Sequence, residues 1–279
     1  MRKLLPLLLS GKRQVQTADV SEWTAARSIS LFGIRIGIQT NEPEWLAPLA
    51  DHFPPLWKPT EARTVDRIFS LWKGKSRYTL FENDELAVKA RSRKVVWEDF
   101  ERRLKIYVAE MARRRVFVHA GAVGLNGKAI IIPGRSYSGK TSLVKALIEA
   151  GATYYSDEYA VLDMQGRVHP YPQPLALREP GKLEQTKCSA EAFGAVVGTK
   201  PLPVDLVIVS KYREKARWRP MQLTPGHGVL ELLDNTVPAR RKPEVVLPTL
   251  QKAVTAATIL KGDRGEVEVV VNRILERYA

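Results

Sequence analysis

The chain has 279 residues, 44% of them apolar and 27% charged, which is enough to fill one large core or two modest ones and describes a soluble globular protein. Its one cysteine, Cys188, excludes an internal disulfide and predicts a reducing compartment, the cytoplasm. The net charge of +14 is scattered over 91–94, 113–115, 211–219 and 240–242 with no repeated aromatic and basic stripe for stacking bases, so it predicts a solvated basic surface and argues against nucleic acid as the partner.

The apolar run at 4–9 is interrupted by Pro6 and preceded by Arg2 and Lys3. It falls well short of the roughly 20 residues that cross a bilayer, and no transmembrane segment is expected. Short apolar or alternating runs at 30–38 and 78–81 predict strands, separated by turn-rich stretches such as Phe53-Pro54-Pro55. A small α/β domain is expected over 1–112. Near its end Trp97, Phe100, Leu104, Tyr107, Val108 and Met111 recur at three- and four-residue spacing, which puts them on one face of a helix over 97–112 leading into a second domain, 113–279.

The second domain opens with a strand over 116–123, a turn at Leu125-Asn126-Gly127, a strand over 128–132, a glycine-rich loop and a helix over 141–150. Asn-Gly between apolar runs is a strong hairpin signal. Further on, a strand is expected over 202–209, another element within 221–233, and a helix near 247–260. Mixed α/β architecture follows.

The loop reads Gly134-Arg135-Ser136-Tyr137-Ser138-Gly139-Lys140-Thr141, followed by Ser142. Gly134 and Gly139 allow backbone shapes that a Cβ obstructs, so successive N–H groups can turn inward onto phosphate oxygens. Lys140 can reach the outer phosphates of a nucleotide, and Thr141 offers a hydroxyl to magnesium at the start of a helix whose dipole favours anions. A buried strand before the loop and a helix after it make this a specific P-loop signal, which predicts ATP and Mg2+ as ligands.

The helix after the loop ends at Gly151, and 152–155 returns as a short strand whose end displays Ser156-Asp157-Glu158. In doubly wound sheets, ligands gather at the carboxyl ends of strands. One of these carboxylates could take a proton from an acceptor hydroxyl while the other holds magnesium. His119, one strand upstream, is a further candidate. His52, His169 and His227 have no comparable placement, and no Cys or His cluster suggests zinc.

The run from His119 through Thr141, followed by Tyr155-Ser156-Asp157-Glu158, resembles the C-terminal catalytic domain of the HPr kinase/phosphorylase family over about residues 116–180. The resemblance implies a P-loop kinase fold related to ATP-dependent phosphoenolpyruvate carboxykinase. It also implies Lys140 as the phosphate-contacting lysine, Thr141 as the magnesium-binding hydroxyl, His119 as a site histidine, Asp157 as catalytic acid/base, and Glu158 in place of a second aspartate. An Arg-Gly-Leu-Gly segment that carries a further magnesium-binding Glu in the family has no counterpart. Glu179 and Glu184 lie nearby without aligning, so phosphorylase activity stays open.

The expected function is therefore an ATP-dependent kinase acting on a serine hydroxyl of a protein or peptide, with a homo-oligomer implied by the resemblance. Two alternatives remain: a nucleotide-dependent binding or regulatory module, and a kinase that modifies precursors of peptide natural products.

Overall fold

The computed structural model describes residues 8–9, 23–135, 138–178 and 185–279. The start of the 4–9 run, Glu179 and Glu184 lie outside the described residues. The chain divides into two compact units, Met1–Arg113 and Arg114–Ala279. Among the described residues, no helix is long and apolar enough to cross a membrane.

The first unit carries strands β1 (Ala25–Leu31), β2 (Ile34–Thr40), β3 (Lys58–Thr60), β4 (Arg67–Lys73), β5 (Tyr78–Glu82) and β6 (Glu85–Ala90). They form one sheet in the order β3-β1-β2-β4-β5-β6, antiparallel except for the β2/β4 pair. The apolar run at 30–38 is two strands rather than one. Phe32 and Gly33 both take positive φ, 47° and 77°, the backbone of a tight hairpin turn whose twist suits the flanking strands. Helix α1 (Arg93–Met111) buries Val96, Trp97, Phe100, Leu104, Tyr107 and Val108, and the Phe100 ring meets Phe69 of β4 edge-on at 5.5 Å. It begins one turn before the apolar spacing indicates: Arg93, Lys94 and Val95 are exposed, and only Val96 of that turn is buried.

The second unit is built on a mixed sheet. Its strands are β7 (Arg115–Leu125), β8 (Lys128–Pro133), β9 (Thr153–Ser156), β10 (Tyr159–Asp163) and β11 (Val168–His169). A separate hairpin follows, β12 (Leu175–Arg178) with β13 (Gln185–Cys188), and then β14 (Val204–Tyr212), β15 (Met221–Leu223) and β16 (Thr258–Arg264). The main sheet runs β11-β10-β7-β8-β14-β16-β15, with β9 also paired to β7. Strands β8, β14 and β16 are mutually parallel, so their carboxyl ends share one edge.

Helices α2 (Lys140–Glu149), α3 (Pro225–Leu233), α4 (Pro243–Val254) and α5 (Val267–Tyr278) cover both faces. On one face Leu143, Val144, Leu147 and Ile148 of α2 and Val270 and Ile274 of α5 pack on Ile130, Ile132, Leu206 and Ile208. On the other, Leu232 of α3 and Val246, Leu250 and Val254 of α4 pack on Val116, Val118, Ala129, Ile131 and Val207. The strict alternation of β8 between these two sets follows from the period-two geometry of a strand buried on both sides. Each fully buried branched side chain contributes about 1.5–3 kcal/mol.

The helix expected near 247–260 is displaced. Helix α4 starts at Pro243, which suits a first helical position, and ends at Val254, whereas Thr258, Ile259 and Leu260 pair in parallel with Leu206, Val207 and Ile208 as part of β16. A β-branched segment that completes a sheet buries more than a helix extended into solvent. The 221–233 segment likewise divides, at Thr224, whose hydroxyl accepts from the His227 amide as the N-cap of α3.

Candidate functional site

The site lies where β7, β8 and the β9–β10 junction meet the start of α2. Strand β7 pairs with β8 on one side and, on the other, first with β10 (115–119) and then with β9 (122–124). Ser156 faces Ala122 and Tyr159 faces His119, so Asp157 and Glu158 fall in a gap between two strands that otherwise read as one. The Ser156 hydroxyl accepts from the amides of Glu158 and Tyr159 at 3.3 and 3.1 Å, a serine turn that pinches the backbone, and the Ala120 amide bonds the Glu158 carbonyl at 3.2 Å. The strand is thus interrupted in register, and its two acids are displayed beside β7.

Strands β8 and β9 both run antiparallel to β7, so the loop leaving β8 and the acids leaving β9 emerge at the same end of the sheet. The Gly134 amide donates to the His119 carbonyl at 3.3 Å as the loop departs. A Cβ at Gly134 would sit 2.5 Å from the Ser138 hydroxyl, and Gly139 takes φ 83° as the N-cap of α2. Gly139 is therefore required by its backbone, and Gly134 leaves room for the Ser138 side chain. Arg135 is exposed, Ser138 and Gly139 are half-buried, and Ser142 is exposed on the first turn of α2. Ser136 and Tyr137 lie outside the described residues.

Four side chains converge. The Thr141 hydroxyl donates to Asp157 Oδ2 at 2.9 Å, and Lys140 Nζ lies 3.3 Å from His119 Nε2. An ammonium has only protons to give, so Nε2 accepts and the imidazole proton sits on Nδ1. Burial, reinforced by the Lys140 charge, pushes His119 down to about 4 and keeps its ring neutral. Burial also lowers Lys140, against the attraction of Asp157 and Glu158. Asp157, only 6% exposed, is pushed up to about 6 by burial, with Lys140, the Thr141 bond and the Ala176 backbone amide pulling the other way. Its second oxygen, Oδ1, is buried with no hydrogen-bond partner among the described residues. Glu158 is half-buried beside it.

Gly121 is a participant that sequence reading missed. It lies in β7 beneath α2, and a Cβ there would collide with Val144 Cγ2 and stand 3.2 Å from Lys140 Cγ. The Gly-Ala-Val-Gly pattern around it signals a close helix–strand approach only once α2 is known to cross there. Gly121→Val is expected to destabilise the second unit by about 1–3 kcal/mol through overpacking and to shift Lys140 away from His119. Chemical denaturation checks the first, and an unchanged midpoint would contradict the packing described.

The remaining histidines serve local structure: His52 Nδ1 lies 2.8 Å from Glu101, His169 Nε2 lies 2.9 Å from Asp163, and His227 helps cap α3. No cluster of three His, Cys, Asp or Glu side chains with metal-holding geometry occurs among the described residues. A magnesium site here would therefore draw on the Thr141 hydroxyl, the Asp157–Glu158 carboxylates and ligand oxygens, a hard oxygen set suited to that ion. The orphaned Asp157 Oδ1 fits such a use.

No protein-family model matches the chain, and no curated protein does. Among solved structures it is similar to the Hpr(Ser) kinase/phosphatase from Coxiella burnetii, at TM-score 0.32 and 17% identity, over 58% of this chain and 99% of that one. A likeness this weak assigns neither fold nor activity. What stands independently is a mixed α/β unit whose sheet edge gathers a glycine loop, a helix start, two carboxylates, a buried lysine and a neutral histidine.

Proposed function

We propose that the second unit is an ATP-dependent phosphotransferase of P-loop type that moves the γ-phosphoryl group to a hydroxyl, most simply a serine of a protein or peptide. The observation that carries this reading is the 2.9 Å bond between Thr141 and Asp157, with the other Asp157 oxygen buried and without a hydrogen-bond partner among the described residues, in a site that also feels the Lys140 charge. Burying a carboxylate this deeply is costly unless a cation or a proton arrives. A phosphotransfer site supplies both.

Magnesium nucleotide, when bound, would bring the transferable phosphoryl group and divalent charge to this edge. Gly134, Arg135, Ser136, Tyr137, Ser138, Gly139, Lys140, Thr141 and Ser142 are the proposed loop contacts, with Thr141 and Glu158 proposed at the metal. Lys140 offsets negative charge on the outer phosphates as it spreads in a loose transition state. Asp157 orients the acceptor hydroxyl and takes its proton as the hydroxyl oxygen bonds to phosphorus and the bond to the leaving nucleoside diphosphate breaks. His119, neutral and bonded to Lys140, aims the ammonium without competing for anions.

The direct test incubates the protein with Mg-ATP and serine-containing peptides and follows intact mass. A gain of one phosphate on the peptide supports the proposal. Saturable Mg-ATP binding without transfer to any hydroxyl would instead support a nucleotide-dependent binding module. A pH profile adds a second check. Asp157 must be ionised to accept a proton, so kcat/KM is expected to rise through about pH 6 and level off above it, since that ratio reports the free enzyme. Activity that is flat from pH 5 to 8 would remove Asp157 as the base.

A further inference from the structure

Arg264, the last residue of β16, is 2% exposed, and no carboxylate lies within ion-pair distance of it among the described residues. Burial lowers it, and the Glu266 and Glu268 carboxylates oppose that only as surrounding negative charge, neither within ion-pair distance. Its guanidinium donates from Nη2 to the Gly139 carbonyl at 2.6 Å and from Nη1 to the Gly265 carbonyl at 3.1 Å, while Nε is buried without a partner. Tyr212, its pairing partner on β14, sets its ring 5.7 Å from the guanidinium carbon, and the Tyr212 amide bonds the Ser138 carbonyl at 3.3 Å. A Cβ at Gly139 would collide with the same Nη2. A full positive charge is thus packed against the underside of the glycine loop, bonded only to carbonyls.

Two consequences follow from elementary chemistry. In a trans peptide the carbonyl and the next N–H point in opposite directions, so a Gly139 carbonyl held by Arg264 and by the Leu143 amide turns the Lys140 N–H the other way, toward the open start of α2. Second, a desolvated guanidinium with only neutral acceptors is unfavourable until an anion comes close. An anion seated in the loop would supply that compensation.

We infer that Arg264 is a positioning residue for the phosphate loop: it fixes the Gly139–Lys140 peptide and lends a buried positive charge to a phosphoanion bound in the loop. This rests on the phosphotransferase reading of the site and extends it to a residue remote in sequence.

The test measures Mg-ATP affinity by titration calorimetry, and melting without ligand, on full-length wild type, Arg264→Met and Arg264→Lys. Arg264→Met is expected to melt at or above the wild-type temperature and to bind Mg-ATP at least tenfold more weakly. Arg264→Lys, which keeps the charge and loses the fork, is expected to recover part of the affinity. A residue serving structure alone would show the reverse, a lower melting temperature with unchanged affinity in the folded protein. Should Arg264→Met fail to fold, Arg264→Lys decides, with a three- to tenfold weakening expected and wild-type affinity overturning the inference. Wild type that binds no Mg-ATP overturns the site reading and this inference together. Wild type that binds, alongside Arg264→Met within threefold of it, overturns this inference alone.

Discussion

Asp157→Asn is expected to lower phosphoryl transfer by about 10²–10⁴-fold, the usual contribution of a positioned general base, while Mg-ATP still binds. The same substitution is expected to make the protein more stable. Asp157 ordinarily titrates at 3.8 and is pushed to about 6 in the fold, so at neutral pH the folded state holds an ionised carboxylate that it would rather protonate. A shift of about two units corresponds to roughly 3 kcal/mol of cost. The sign is set by linkage: the cost is absent well below pH 4, where both states are protonated, grows between about pH 4 and 6 as only the unfolded state ionises freely, and levels off above 6. The gain in melting temperature of Asp157→Asn over wild type should therefore be largest above pH 7 and vanish near pH 3. His119 works in the opposite sense. Its folded value of about 4 lies below the ordinary 6.5, so it subtracts stability as pH falls through that window. Asp157→Asn should uncover this acid sensitivity. Undiminished transfer in Asp157→Asn would sink the catalytic assignment. Loss of Mg-ATP binding would move the carboxylate's role from the acceptor proton to the metal.

The parts of the site written in local sequence were the easiest to read. The Asn126-Gly127 hairpin, the glycine loop between a β-branched strand and a helix, and the Gly151 stop each depend on a few adjacent residues whose backbone preferences are strong. The pairing of Thr141 with Asp157 could be anticipated because one helix and one strand separate them. Arg264 could not. It lies 125 residues from the Gly139 carbonyl it bonds and reaches it only because β16 lies parallel to β14 with Tyr212 opposite Arg264. Gly121 was hidden for the same reason, since nothing in its neighbours says which helix will cross it. The displaced helix at 247–260 shows the other limit: Thr258, Ile259 and Leu260 suit either a helix face or a strand, and the open edge of β14 decided between them. The front sheet, with its β2/β4 parallel pair, required pairings between strands that alternate too weakly to announce their partners.

Lys140→Met tests whether the site's charges act as a unit. Lys140 is 8% exposed, faces a neutral histidine, and shares its surroundings with Asp157 and Glu158. Removing it leaves Asp157 buried without its main cation, which should drive that carboxyl further up, and takes away the charge proposed for the outer phosphates. Mg-ATP affinity is expected to fall by about 10–100-fold, the worth of one charge-assisted contact, and transfer by more. The decisive comparison is the double variant Lys140→Met with Asp157→Asn. Each single change breaks the same attraction, but the double change breaks it once and leaves no unpaired charge behind. The change in its unfolding free energy should be more favourable than the sum of the two single changes by about 1–3 kcal/mol. Additivity within about 0.5 kcal/mol would mean the two groups do not feel each other, and Lys140 would then do nothing to hold down the carboxyl that burial raises.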